Sequence, residues 1–200
     1  MVGVIDRSGL RLIYAEITMI TVLFLINFIL NSDHLVFLII LSLFSLLFTL
    51  LFFRDPPRDI GEGIVSPADG RVDFVGERRI EIFMSPFDCH VNRAPVSGVV
   101  EKVVYKKGSF IPAYRRNDFS ERNEIFIRNE KGLFRVIQIA GFFARRINCY
   151  VKEGDFVEKG QKIGIIKFGS RVVLEIPDGY AFVVKEGEKI KAGRTIAVEA

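Results

Sequence analysis

One histidine, His90, lies outside the hydrophobic N-terminal third, in the run Phe83-Met-Ser-Pro-Phe-Asp-Cys-His-Val-Asn-Arg-Ala-Pro-Val-Ser-Gly98. Imidazole is the usual side chain for proton transfer near neutral pH, and here it stands two residues after Asp88. Two further islands carry groups that could act with it. Ser66-Pro-Ala-Asp-Gly70 offers the carboxylate of Asp69, although a turn with Pro early and Gly late explains the same residues. Gly169-Ser170 offers a hydroxyl beside a glycine, and a bulge between the flanking strands would account for that glycine equally well. A satisfied core histidine is the plain alternative for His90. Cys89 beside His90 suggests a nucleophile pair, but neighbours on a strand point to opposite faces. A structural cysteine is the better reading. Cys89 and Cys149 lack metal-ligand spacing, so no metal site is expected; they fit a reducing compartment and no disulfide framework.

The elements that must hold these groups divide by hydropathy. Leu12 to Leu30 is almost wholly apolar, with Glu16 and Asn27 the main exceptions, and Leu35 to Phe53 is apolar without a charge. Nineteen residues of helix rise about 28 Å, close to the roughly 30 Å hydrocarbon core of a bilayer. Residues 1–53 are therefore expected to be a membrane anchor of two helices, about 12–30 and 35–53, with Glu16 near enough to one end to reach an interface. A cleavable signal peptide is the competing reading of the first segment, but it lacks a small-x-small site and a second span follows at once. Arg7 and Arg11 precede the hairpin and Arg54 and Arg58 follow it, whereas Asn31-Ser-Asp-His34 has no fixed positive charge. The positive-inside rule then places both ends, and the following domain, in the cytoplasm at the cell membrane.

Arg54-Asp-Pro-Pro-Arg-Asp59 cannot continue a helix and opens a linker over 54–63. Over 64–200 the pattern is of short β-branched runs: Arg71–Val75, Arg79–Phe83, Val99–Tyr105, Glu124–Arg128, Leu133–Ile139, Gly164–Lys167, Val172–Ile176 and Ala181–Val184. An all-β, mainly antiparallel domain follows, a sandwich or barrel. Val151-Lys-Glu-Gly-Asp-Phe-Val-Glu-Lys-Gly-Gln-Lys-Ile163 recurs as Val184-Lys-Glu-Gly-Glu-Lys-Ile-Lys-Ala-Gly-Arg-Thr-Ile196. The two copies resemble the hammerheads of lipoyl and biotinyl domains, without a Met-Lys-Met carrier, so the likeness concerns a barrel-sandwich fold and not a function. A formal charge of +4, with the signs mixed, argues against nucleic acid. Pairs such as Arg78-Arg79, Lys106-Lys107, Arg115-Arg116 and Arg145-Arg146 suit an anionic membrane surface or simply water.

Taken in order, Ile64-Val-Ser-Pro-Ala-Asp-Gly70, Phe83 to Pro95 and Gly164-Ile-Ile-Lys-Phe-Gly-Ser-Arg171 resemble the short form of phosphatidylserine decarboxylase, whose archaeal relatives act on archaetidylserine. The likeness runs from about Ile64 to Pro177 and takes in Ala140-Gly-Phe-Phe-Ala-Arg-Arg-Ile147 and Val151-Lys-Glu-Gly154. It implies a proenzyme that makes its own pyruvoyl cofactor, because no ordinary side chain supplies an electron sink for decarboxylation. Ser170 Oγ would attack the carbonyl of Gly169, giving an ester. β-Elimination would release 1–169 and leave dehydroalanine, which hydrolyses to a pyruvoyl group at the head of 170–200. Glycine at 169 leaves that attack unobstructed. The implied base for elimination is His90, oriented by Asp69 or Asp88. In turnover the substrate amine would form a Schiff base with the pyruvoyl group, and His90 would protonate the carbanion left by carbon dioxide, giving the ethanolamine phospholipid. The implied partners are a membrane phospholipid and the two cleavage fragments as a heterodimer, with a homo-oligomer left open.

Longer family members carry a second histidine three residues after the first, where this chain has Arg93. A processing triad through that position does not carry over. Arg93 is instead a candidate for the substrate phosphate or carboxylate, or a structural ion pair. Two rivals remain. A membrane-anchored serine endopeptidase also joins an apolar anchor to a β-domain, but it would face outward, and a hammerhead adaptor would need a modifiable lysine.

Overall fold

The computed structural model describes residues 4–108, 120–141, 147–167 and 170–200, so Gly169 and the paired arginines at 115–116 and 145–146 lie outside the described residues. The chain separates into two compact units, Met1–Pro57 and Arg58–Ala200.

In the first unit α1 spans Arg7–Leu30 and α2 spans Asp33–Phe52, both long and apolar enough to cross a membrane. The first helix begins five residues before its apolar run because Asp6 caps it, its Oδ1 accepting from the Ser8 amide at 2.9 Å. Asn31, in the left-handed region at φ 46°, ends it. Glu16 is not left for an interface. It is buried against α2, where its Oε1 accepts from Ser45 Oγ at 2.7 Å and Thr49 Oγ1 at 3.1 Å. Hydroxyl partners on the facing helix offset the cost of a carboxyl group at this depth. Phe24, Phe28, Ile29, Phe37 and Phe44 are exposed on the outside of the pair, as a membrane-associated hairpin requires.

The second unit is antiparallel β throughout its described strands. These are β1 (Ile64–Val65), β2 (Gly70–Val75), β3 (Arg79–Met84), β4 (Val91–Arg93), β5 (Gly98–Lys106), β6 (Arg122–Asn129) and β7 (Gly132–Ala140), followed by β8 (Ile147–Cys149), β9 (Phe156–Val157), β10 (Lys162–Ile166), β11 (Ser170–Glu175), β12 (Tyr180–Phe182), β13 (Lys189–Ile190) and β14 (Thr195–Glu199). One sheet runs β13-β2-β3-β11-β7-β6-β5-β9, and two small sheets run β1-β14-β12 and β4-β10-β8. The eight alternating runs expected from sequence fall on β2, β3, β5, β6, β7, β10, β11 and β12. The strands without such a signal are short, or, like β14, begin inside the repeat.

Period-two alternation gives the large sheet two different faces. Ile80, Ile82, Val172, Leu174, Val136, Ile125 and Ile127 point into the core. On the outer face an ion-pair ladder crosses six strands. Arg171 reaches Asp73 and Glu81 at 2.6 and 2.7 Å, and Arg79 joins Glu81 to Glu175. Arg135 then joins Glu175 to Glu124, which also meets Lys106 at 2.9 Å.

The repeat is larger in space than in sequence. Gly154 and Gly187 donate to Val100 and Val72 at 2.8 Å each, while Gly160 and Gly193 donate to Ala94 and Ser66 at 2.9 and 3.0 Å. All four glycines have φ between 83° and 92°, the left-handed region that favours glycine. Val65 donates to the Pro95 carbonyl and Arg93 to the Pro67 carbonyl, so the two halves exchange matching bonds. Residues 66–72 and 94–100 therefore belong to the repeat as well. Their shared signal, Pro-x-x-Gly, is visible in Pro67–Gly70 and Pro95–Gly98.

Candidate active site

Ser170 opens β11, with Met84 of β3 and Ala140 of β7 as its neighbours on either side. Even-numbered residues of β11 face the core, so the Ser170 side chain is fully buried. Its hydroxyl donates to Met84 Sδ at 3.3 Å, not to His90.

Met84 ends β3 because Ser85-Pro-Phe-Asp88 turns the chain. Asp88 Oδ2 accepts from the Ser85 amide at 2.8 Å and Ser85 Oγ at 2.7 Å, and the Asp88 amide returns a bond to the Ser85 carbonyl. The carboxylate of Asp88 is thus spent on the turn, and its main-chain carbonyl is what meets His90, 2.9 Å from Nδ1. A carbonyl only accepts, so Nδ1 carries the proton and Nε2 is the basic nitrogen of the neutral ring. His90 is fully buried, and its carbonyl accepts from the Ile166 amide, which ties the histidine to the strand leading toward Ser170.

Asp69 is committed elsewhere. Its Oδ2 takes Arg58 Nη2 at 2.8 Å and its Oδ1 the Ala192 amide at 2.8 Å. In the other half of the repeat Ser97 Oγ accepts from the Lys159 amide in the equivalent place. For Arg58, burial opposes the charge, but Asp69 outweighs it and raises the guanidinium above its ordinary value. Burial pushes the neighbouring Cys89 thiol up, so it is a poor nucleophile, consistent with a structural cysteine. Arg93 is buried, with Nη1 on the Gly160 carbonyl at 2.9 Å. Of the residues singled out from sequence, Asp88 and His90 share one turn, while Asp69 and Arg93 are each held by other groups.

The immediate surroundings of Ser170 contain groups that sequence reading passed over. Asn123, Gln138 and Asn92 form a buried amide chain ending 3.9 Å from Met84 Sδ. A signal was present: Gln138 sits on the same strand parity as Phe134 and Val136, a polar residue on an apolar face. Arg171, next to Ser170 but on the opposite face, anchors this end of β11 to Asp73 and Glu81. A separate open cleft of about 830 Å³, lined by Glu62, Val96, Phe156, Lys159, Tyr180 and Val198 among others, includes none of the candidate residues.

The family model described as phosphatidylserine decarboxylase matches residues 72–198. A provisionally named archaetidylserine decarboxylase proenzyme of Archaeoglobus fulgidus is 54% identical over 194 residues, covering 97% of this chain and 95% of its own. A phosphatidylserine decarboxylase proenzyme of Beijerinckia indica is 44% identical, covering 80% and 77%. Among solved structures, CbpA from L. salivarius REN overlaps 57% of this chain and 78% of its own, at 14% identity and a TM-score of 0.37, too distant to inform the fold. With the family model spanning the β-unit from β2 to β14 and an archaeal relative matching nearly end to end, the chain belongs to the phosphatidylserine decarboxylase family.

Proposed function

We propose that this protein is a self-processing, pyruvoyl-dependent decarboxylase that converts the serine headgroup of a membrane phospholipid, phosphatidylserine or archaetidylserine, to ethanolamine and carbon dioxide. The observation that carries the reading is Ser170 itself: fully buried, at the head of a strand bracketed on both sides, in the position that the family motif assigns to the cofactor precursor. The surroundings suit the group. A thioether accepts a hydroxyl proton weakly and also packs against a methyl, so Met84 is compatible with serine before cleavage and with pyruvoyl after it. Once formed, the pyruvoyl carbonyl supplies the electron sink for the bond to carbon dioxide.

The chain's own residues do the rest. His90, with its proton on Nδ1 and its basic lone pair on Nε2, is the candidate base for the Ser170 hydroxyl and α-proton, and in its protonated form the acid for the substrate carbon. The carbonyl of Asp88 holds the ring in that tautomer, while the Asp88 carboxylate shapes the turn. Asp69, through Arg58 and Ala192, ties the segment before β2 to the C-terminal repeat, and Arg93 remains a candidate for the substrate phosphate. The two Val-x-x-Gly copies are read as hammerhead units of a barrel-sandwich. The arginines flanking the hairpin support a cytoplasmic side for the β-unit, where a serine headgroup projects. A serine endopeptidase is set aside, since the family is otherwise and a fully buried Ser170 cannot reach another chain's peptide.

Mass spectrometry of the purified protein tests the proposal. The expected products are 1–169 and a C-terminal fragment with a carbonyl-containing, blocked residue 170. Ser170→Ala is expected to stay intact and inactive. An intact wild-type chain, or a cut leaving a free amine on Ser170, would refute it.

A further inference from the structure

Ser170 is the first residue of β11, and the next one, Arg171, turns its side chain to the outer face of the sheet. That side chain is nonetheless buried. Its Nη1 donates to Asp73 Oδ2 of β2 at 2.6 Å and to Glu81 Oε2 of β3 at 2.7 Å. Bonds of this length between ionised groups are the strong kind. A bulge in β2 aims Asp73 at the guanidinium: Val72 lies opposite Ile82 and Phe74 opposite Glu81, which leaves Asp73 outside the regular pairing. Glu81 is held a second time by Arg79 Nε at 3.1 Å.

Cleavage before residue 170 changes what holds that residue. As serine it lies within a chain, with a peptide bond on either side. As a pyruvoyl group it is a chain end, and its N–H has been replaced by a ketone oxygen, so it has no amide to donate. The first amide of the strand is then that of Arg171. Chain ends are poorly ordered unless something ties them down. A carbonyl that must meet a substrate amine tolerates little of this, since about 1 Å of misplacement can cost 10²-fold in rate. Asp73 and Glu81 both belong to 1–169, so the ion pairs cross from one fragment to the other.

We propose that Arg171 is a positioning residue for the cofactor: its ion pairs with Asp73 and Glu81 hold the new chain end in place after cleavage, and they serve turnover, not self-cleavage. This role rests on the self-processing reading above. The ion pairs fix residue 171 from the outer face and leave the core side, where the side chain of residue 170 lies, unoccupied by charge. Loss of the guanidinium leaves Glu81 paired with Arg79, so a variant chain need not bury a bare carboxylate there.

Full-length wild type and Arg171→Met in detergent, each also combined with Ser170→Ala to keep the chain uncleaved, provide the test. The first readout is hydrogen exchange over Arg171–Glu175, followed by mass spectrometry. Cleaved Arg171→Met should exchange there about tenfold faster than cleaved wild type, as expected for a lost bond to a charged group. The two uncleaved chains should exchange alike. Turnover of phosphatidylserine or archaetidylserine in mixed micelles, whichever the wild type consumes, should lose about 10²-fold in kcat with KM unchanged. On gels 170–200 should appear at the wild-type rate. Equal exchange in the two cleaved proteins, or wild-type kcat in cleaved Arg171→Met, would overturn the proposal. Faster exchange in the uncleaved variant, or slowed cleavage, would overturn it too, by making Arg171 a structural residue of the precursor. If Arg171→Met is insoluble, Asp73→Ala, which leaves the Arg171–Glu81 pair in place, decides by the same measurements. A wild-type chain that never cleaves at 169–170 would instead refute the reading on which this rests.

Discussion

At the scale of single residues, the site is organised by what main-chain atoms and a sulfur do, more than by paired charges. His90 is oriented by the main-chain carbonyl of Asp88, which makes Nε2 the nitrogen that would act as base. His90→Ala is accordingly expected to accumulate full-length chain on gels and to lower turnover at least about 100-fold in any cleaved fraction, within the usual range for a general acid–base. Cleaved but inactive protein would confine the imidazole to turnover. Asp69 and Asp88, both plausible orienters by sequence position, have their carboxylates taken by Arg58 with Ala192 and by Ser85. Position in the chain says nothing of where each oxygen points.

At the scale of elements, β11 is held differently on its two faces. Its inner residues Val172 and Leu174 join the core, while Arg171 and Glu175 join the outer ladder. Glu124 is the node of that ladder. Its burial would raise its carboxyl, but bonds to Lys106 and Arg135 outweigh burial and lower it below the usual carboxylate range. A group depressed in this way contributes stability above its unfolded value, near 4.3, and that contribution is lost as pH falls through the lower folded value. Glu124→Gln is therefore expected to destabilise the protein by on the order of 1 kcal/mol more at pH 7 than at pH 3. Urea unfolding at the two pH values measures this, and equal effects at both would show that the ladder contributes by packing alone.

At the scale of the molecule, the β-unit contains two matching sets of segments, and the candidate residues His90, Asn92 and Arg93 lie in one of them. His90, Asn92 and Arg93 have Glu62, Ile64 and Val65 as their counterparts when the halves are superposed through their matching bonds. The pieces on either side of residue 170 are interleaved: β11 lies between β3 and β7, β13 beside β2, and β14 beside β1. Scission at that point would leave every one of these ladders intact. The fragments 1–169 and 170–200 should then co-elute on gel filtration in detergent and separate only in denaturant; early loss of the small fragment would contradict this.

Much of this was legible in the chain itself. Two long, almost wholly apolar runs read as helices of membrane length, β-branched alternation names the longer strands, and three ordered motifs mark Asp69, His90 and Ser170. These are local patterns, and local physics suffices for them. The short strands β4, β8 and β9 are defined by partners far along the chain. The first halves of the repeat show their kinship through bonds between distant backbone groups. The meeting of Met84, Asn92, Gln138 and Ser170 depends on four strands packing at one end of a core. Which atom each polar side chain faces was decided by tertiary structure, because a buried donor takes its partner from whatever packing brings within 3 or 4 Å, at any separation in sequence.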